Sequence, residues 1–189
     1  MSIEKEYSTY SFSWGEYMGE ITNGQIQGNG KAIFKNLDIY DGQWENGKMS
    51  GKGIYKFWDK EKDKYTQVYE GEFKEGVREG FGEMTYSNRD KYVGVWQNDF
   101  RTGEGICWFA DGSIFHGIWK FDTMIRGVFR RNNGEFYDGE LTDGLFHGYG
   151  QIFYTNGNWF EGVFKKGYPS KGKFFKIDGT IHEIEDGIR

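Results

Sequence analysis

The sequence predicts an all-β fold: an elongated single-layer antiparallel β-meander of about seven hairpin repeats, twisted, with a groove along one face. Three observations predict it. A short fragment recurs about every 23 residues, apolar and polar residues alternate with period two inside each copy, and turn dipeptides punctuate the alternating runs. The fragment is an aromatic residue, any residue, then glycine. It occurs at Tyr17-Gly19, Tyr40-Gly42, Tyr69-Gly71, Tyr92-Gly94, Phe115-Gly117, Tyr137-Gly139 and Phe160-Gly162, and the steps between successive aromatics are 23, 29, 23, 23, 22 and 23 residues.

Taken in order, residues 1–16 read as an N-terminal cap whose run Tyr10-Ser11-Phe12-Ser13-Trp14 is the second strand of a partial repeat. Residues 17–180 form the array, with hairpins starting near 17, 40, 69, 92, 115, 137 and 160, and residues 181–189 are a charged tail or degenerate cap. In Tyr69-Glu70-Gly71-Glu72-Phe73 the odd positions are aromatic or glycine and the even ones are acids, so one face is expected dry and the other wet. Asn23-Gly24, Asn46-Gly47, Glu75-Gly76, Asp143-Gly144 and Lys166-Gly167 end first strands; Asp111-Gly112, Asn133-Gly134 and Asn156-Gly157 end second strands. Two strands and two tight turns use up each unit, which gives about 14 strands at about 4.7 Å spacing.

Departures from the pattern carry expectations of their own. The fourth unit has Asp99 where the others turn on glycine, which an Asn98-Asp99 turn tolerates because both residues visit left-handed backbone comparatively easily. The second unit has six extra residues around 58–64, a lengthened, solvated hairpin tip. The fifth and seventh units replace a Gly-x-Gly pair with the single glycines Gly127 and Gly172, so their second strands should be shifted or shortened. The recurring strand glycines Gly19, Gly42, Gly71, Gly94, Gly117, Gly139 and Gly162 share a face with the aromatics, where a position without a side chain lets a neighbouring ring lie flat on the backbone.

Composition supports this reading and excludes others. Thirty glycines with one proline, Pro169, and 20% aromatics fit neither collagen nor disorder. A net charge of -5 offers no field for a phosphate backbone, so no nucleic-acid partner is expected. Cys107 alone excludes an intramolecular disulfide framework, and neither a leader peptide nor a membrane-spanning run is legible; a cytoplasmic location is the default expectation.

The pattern Tyr-x-Gly-x-Trp/Phe-x-x-Gly-x-x-x-Gly-x-Gly, clearest in Tyr69 to Gly82 and Tyr137 to Gly150, resembles the MORN repeat, and the resemblance covers roughly residues 17 to 179. It implies a non-catalytic scaffold or adaptor that holds a partner helix or extended segment in an aromatic groove, in a cytoskeletal or ciliary (axonemal) assembly.

The candidate partner-binding residues are the groove aromatics Trp44, Phe73, Trp96, Trp119 and Phe164, with Tyr86, Phe109 and Tyr154 beside them. Contiguous apolar surface on a repeat array is a common partner site. A second reading is a peripheral tether for anionic phospholipid, through Lys165, Lys166, Lys171, Lys173 and Lys176 interleaved with aromatics. An enzyme is not expected. The Gly-x-Gly pairs begin strands rather than helices, His116, His147 and His182 lack ligand spacing, and Cys107 sits in a strand as a buried thiol; neither cofactor nor metal is called for. The open ends of such a sheet offer a route to a homodimer.

Overall fold

A computed structural model of the chain describes residues 8–185. Residues 1–7 of the expected cap and 186–189 of the expected tail lie outside the described residues. The fold is all-β: sixteen antiparallel strands in one open sheet whose strand order is the sequence order, with no helix among the described residues. The chain divides into two compact units, one running up to Arg89 and including Trp96–Asp99, the other made of Asp90–Val95 and the residues from Phe100 onward.

The first unit contains β1 (Thr9–Phe12), β2 (Gly15–Thr22), β3 (Gln25–Phe34), β4 (Ile39–Glu45), β5 (Lys48–Asp59), β6 (Lys64–Lys74) and β7 (Val77–Thr85). Strand β8 (Lys91–Gln97) is shared between the units. The second unit continues with β9 (Phe100–Trp108), β10 (Ile114–Lys120), β11 (Thr123–Arg130), β12 (Phe136–Thr142), β13 (Leu145–Phe153), β14 (Trp159–Lys165), β15 (Tyr168–Phe175) and β16 (Ile181–Ile184).

Sixteen strands stand where about fourteen were expected, because each end adds one. In β1, Tyr10 pairs with Tyr17 as Tyr55 pairs with Tyr69, so β1 holds the register of a second strand. In β16, His182 pairs with Phe174 in the register that the repeat tyrosines use, and Ile184 lies opposite Gly172 where a glycine normally stands.

Turn chemistry fixes the hairpins. All seven turns between first and second strands place two successive residues at positive φ, as in Asn23 (52°) and Gly24 (78°), or Lys166 (51°) and Gly167 (89°). That is the type I′ turn, whose twist matches the strands it joins. Phe121 (46°) and Asp122 (64°) occupy the same turn in the fifth unit, an uncommon conformation for a large aromatic residue. The turns also stitch neighbouring hairpins together: the amides of Gly47, Gly76, Asp99 and Asp122 donate to the carbonyls of Ile26, Met49, Arg78 and Arg101.

The six extra residues of the second unit lengthen β5 and β6 and place a turn at 60–63, all of it exposed. The base of this extension is held from the preceding turn. The carboxylate of Asp38 accepts from the Trp58 amide (2.7 Å) and from the Tyr55 hydroxyl (2.9 Å).

Candidate functional site

On one face, here the ring face, each repeat aromatic lies over a pair of facing glycines: Gly19 opposite Gly30, Gly42 opposite Gly53, Gly71 opposite Gly82, Gly139 opposite Gly150. A Cβ built on Gly53 would collide with the Tyr40 ring, and one built on Gly82 with Tyr69. Tyr17, Tyr40, Tyr69, Tyr92, Phe115, Tyr137 and Phe160 are fully buried as a result. The glycines of this row are therefore packing residues, and the turn glycines are a separate set chosen for positive φ.

Two kinds of hairpin emerge. Where the aromatic is tyrosine, its hydroxyl donates to the carbonyl three residues on: Tyr17 to Glu20 (3.0 Å), Tyr40 to Gln43 (2.8 Å), Tyr69 to Glu72 (3.0 Å), Tyr92 to Val95 (3.1 Å) and Tyr137 to Glu140 (2.7 Å). That carbonyl faces a bulge in the second strand built on a left-handed glycine, such as Gly51 (φ 64°) or Gly80 (φ 79°), and across it the register slips by two residues. The side chain of the same +3 residue turns back onto the bulge, as when Gln43 Oε1 accepts from the Lys52 amide at 2.8 Å. Burial holds the phenols neutral: the Tyr17 and Tyr137 hydroxyls are pushed up to about 12, and burial raises Tyr40 and Tyr69 as well.

Where the aromatic is Phe115 or Phe160, the register slips by a single residue, between Ile118 and Trp119 and between Val163 and Phe164. Ile118 stays paired with Arg126 and Val163 with Lys171, so the +3 residue remains in the ladder, whereas the slips after Tyr17, Tyr40 and Tyr69 skip it. Strands β11 and β15 are correspondingly short, at eight residues each.

The rings then interlock along the face. Five repeat aromatics meet, edge to face, the aromatic four residues after their successor: Tyr17 with Trp44 (5.4 Å), Tyr40 with Phe73 (5.0 Å), Tyr69 with Trp96 (5.3 Å), Tyr92 with Trp119 (5.3 Å) and Tyr137 with Phe164 (4.9 Å), while Leu141 stands at that position for Phe115. The indole N–H groups of Trp44, Trp96 and Trp119 donate to the carbonyls of Gly30, Gly82 and Gly105. The guanidinium of Arg78 covers Trp96 at 4.2 Å and that of Arg101 covers Trp119 at 4.3 Å, each bracketed by the turn acid Asp99 or Asp122. Asp99 thus has a partner that a glycine could not supply: its carboxylate accepts from both the amide and Nε of Arg78.

These contacts locate the residues singled out from the sequence. Trp44, Phe73, Trp96, Trp119 and Phe164 keep at most 5% of their surface, whereas Tyr86, Phe109 and Tyr154 are half-buried. The lysine group is split. Lys166 is a turn residue, and Lys165 pairs across the tip with Tyr168. Lys171 and Lys173 project from the opposite face of β15, where Lys173 lies between Glu161 and Glu183, and Lys176 begins the next turn. Cys107 is buried, and burial pushes its thiol up to about 11.

Two surfaces went unread in the sequence. On the ring face of the first unit, half-exposed rings run in contact from Phe12 to Trp14 (5.1 Å), Phe34 (5.5 Å), Tyr55 (5.8 Å) and Phe57 (4.7 Å). They lead into a groove of about 370 Å³ lined by Met49, Tyr55, Phe57, Phe73 and the Arg78 and Asp99 pair. Phe73 stands where Trp44, Trp96 and Trp119 stand in other hairpins, so a smaller ring floors this groove. In the second unit the face expected to be wet instead carries Phe136, Phe153, Trp159 and Phe175 stacked on adjacent strands, with centroids 4.5, 5.7 and 3.9 Å apart. An aromatic just before the repeat residue (Phe136, Trp159) and another at the end of the second strand (Phe153, Phe175) was the available signal.

Comparison with known proteins agrees with the repeat. The profile of the MORN repeat matches residues 17–39, 40–57, 69–91, 92–114 and 137–159, more than half of the chain. The hairpins it passes over are the two built on Phe115 and Phe160. Alsin of Rattus norvegicus is 34% identical over 108 residues, covering 54% of this chain and 6% of Alsin. "MORN repeat-containing protein 3" of Xenopus laevis is 35% identical over 85 residues, covering 44% of this chain and 36% of that protein. The chain thus spans only a small part of the first relative and about a third of the second. Among solved structures, the SAS-4 TCP domain of Drosophila melanogaster, in complex with a proline-rich motif of Ana2, covers 98% of this chain and 94% of its own at TM-score 0.38 and 11% identity. The repeat is a non-enzymatic interaction module, found in proteins that engage other proteins or membranes. By the five matched segments and the hairpins that carry them, the chain belongs to the MORN repeat family.

Proposed function

We propose that this chain is a non-catalytic adaptor that holds a helix or extended segment of a partner protein on its ring face. The observation that carries this reading is the run of half-exposed rings from Phe12 to Phe57, ending in the groove over Phe73. Aromatic anchors seated in such grooves dominate truncation losses at interfaces, at about 2 kcal/mol or more each when central. The partner contacts are the half-buried rings, here and at Tyr86, Phe109 and Tyr154, while the more deeply buried Trp44, Trp96, Trp119 and Phe164 hold the platform beneath them. A cytoskeletal or axonemal assembly is the setting that the family resemblance suggests.

The protein reading is preferred to the phospholipid one because Lys173 is flanked by two carboxylates and Phe164 has no exposed surface to insert. Affinity capture from native cell extract, followed by identification of the stoichiometric partner, tests it. One protein partner retained by the wild-type chain and lost by Phe57→Asp, with the β spectrum unchanged, supports the proposal. Recovery of lipids or metabolites alone overturns it.

A further inference from the structure

The stacked rings of the second unit lie within a longer row on the face opposite that unit's buried repeat aromatics. Read from β9 to β16 through direct cross-strand partners, the row is Trp108, Ile114, Arg130, Phe136, Phe153, Trp159, Phe175, Ile181. Trp108 and Phe136 each keep 38% of their surface and Ile181 keeps 56%. In the first unit the equivalent row reads Glu16, Ile33, Ile39, Lys56, Val68, Thr85, with no ring in it. Cross-strand stacking stabilises strand pairing in place, but it leaves a strip of apolar surface that a single-layer sheet cannot cover from this side.

The row beside the strip shows what fits it. From β11 to β16 it reads Val128, Asp138, Gln151, Glu161, Lys173, Glu183. The four rings centre on the line between β13 and β14. A twofold axis along that line, parallel to the strands, lays β12 of one copy over β15 of another and β13 over β14. The aromatic row then meets itself, Phe136 against Phe175 and Phe153 against Trp159. In the next row, the same operation sets Asp138 against Lys173 and Gln151 against Glu161, twice each. Arg130 lies over Ile181, one step diagonally from Glu183. The axis is fixed by the rings alone, yet it brings opposite charges together, which is the self-complementarity an isologous contact requires.

We infer that two copies of this chain pair face to face through the ring ladder of the second unit, two sheets packed across Phe136, Phe153, Trp159 and Phe175. This contact uses the second unit alone and does not depend on the proposed partner groove of the first. The six strands that overlap, β11 to β16, at about 4.7 Å by two rows of side chains give a strip of roughly 400 Å² per copy, below the standard size of specific interfaces. The dimer is therefore weak and reversible, and concentration governs it.

Sedimentation velocity of the full chain over a wide concentration series tests the inference. A monomer–dimer equilibrium is expected, weakened by at least about tenfold, or about 1.4 kcal/mol, in Trp159→Glu. Should Trp159→Glu lose its β spectrum, the charge pair decides. Lys173→Asp and Asp138→Lys each weaken dimerisation, and the double swap restores it. A single monomeric species at every concentration, or a dimer indifferent to Trp159 and to the swap, overturns the inference. Binding to phosphatidylcholine and phosphatidylserine vesicles that requires Trp159 and Lys173 also overturns it, since the strip would then face a membrane.

Discussion

Hairpins built on tyrosine and hairpins built on phenylalanine solve the same packing problem with different backbones. In β4 and β5 the Tyr40 ring lies over Gly42 and Gly53, and its hydroxyl satisfies the Gln43 carbonyl that a two-residue slip has taken out of the ladder. In β10 and β11 the Phe115 ring lies over Gly117 and Gly127; the slip is one residue, and Ile118 keeps its cross-strand partner. One oxygen atom and one extra backbone residue go together. The 22-residue step after Phe115, against 23 elsewhere apart from the lengthened second unit, is the sequence trace of that coupling. A buried donor without an acceptor, or the reverse, costs more than the hydrogen bond itself contributes. Mixed hairpins should therefore be worse than either pure kind.

The largest expected effect comes from alkali. The buried phenols stay neutral to about 12 at Tyr17 and Tyr137, whereas in the unfolded chain they ionise near their ordinary value of about 10. Their contribution to stability is complete below pH 10 and is lost as pH rises from there toward 12. Urea denaturation at a series of pH values should show this fall, and it should be shallower in a Tyr40→Phe, Tyr69→Phe variant; a flat profile through pH 12 would refute the coupling. Next in size is Gly53→Ala, whose methyl group would press into the Tyr40 ring and should destabilise by about 3 kcal/mol in urea denaturation. Phe115→Tyr places a hydroxyl in a hairpin whose backbone lacks the two-residue slip of the tyrosine hairpins, and a loss of about 2 kcal/mol by the same measurement is expected. The reverse exchange, Tyr40→Phe, strands the Gln43 carbonyl and should cost about 1 kcal/mol. The smallest effect is a gain: Phe121→Asn relieves a left-handed aromatic in a type I′ turn and should raise stability by about 0.5 kcal/mol, visible as a higher melting temperature.

Much of this architecture was legible in the residues. Period-two alternation and the spacing of Tyr17, Tyr40, Tyr69, Tyr92, Phe115, Tyr137 and Phe160 carried the hairpin pattern, and dipeptides such as Asn46-Gly47 and Asp143-Gly144 marked most of the turns, whereas the turn at Phe121-Asp122 has no such signal. The single glycines Gly127 and Gly172 announced shorter second strands. The candidate site was harder to read, because alternation tells which face a ring is on and not how much of it a neighbour covers. Trp96 and Trp119 are hidden by guanidinium groups from residues 18 positions earlier, a relation that no local pattern displays. The charged residues of the opposite face drew attention away from Phe136, Phe153, Trp159 and Phe175, whose pairing depends on register across four strands.

The lengthened β5 and β6 hairpin has a practical consequence. Its turn at 60–63 lies beyond the last ring-over-glycine contact of that hairpin and is fully exposed, so chain added there need not disturb the spacing on which the array depends. It is the natural graft point of the molecule, where an epitope, a fluorophore or a foreign module could be carried while the rest of the hairpin array keeps its pitch.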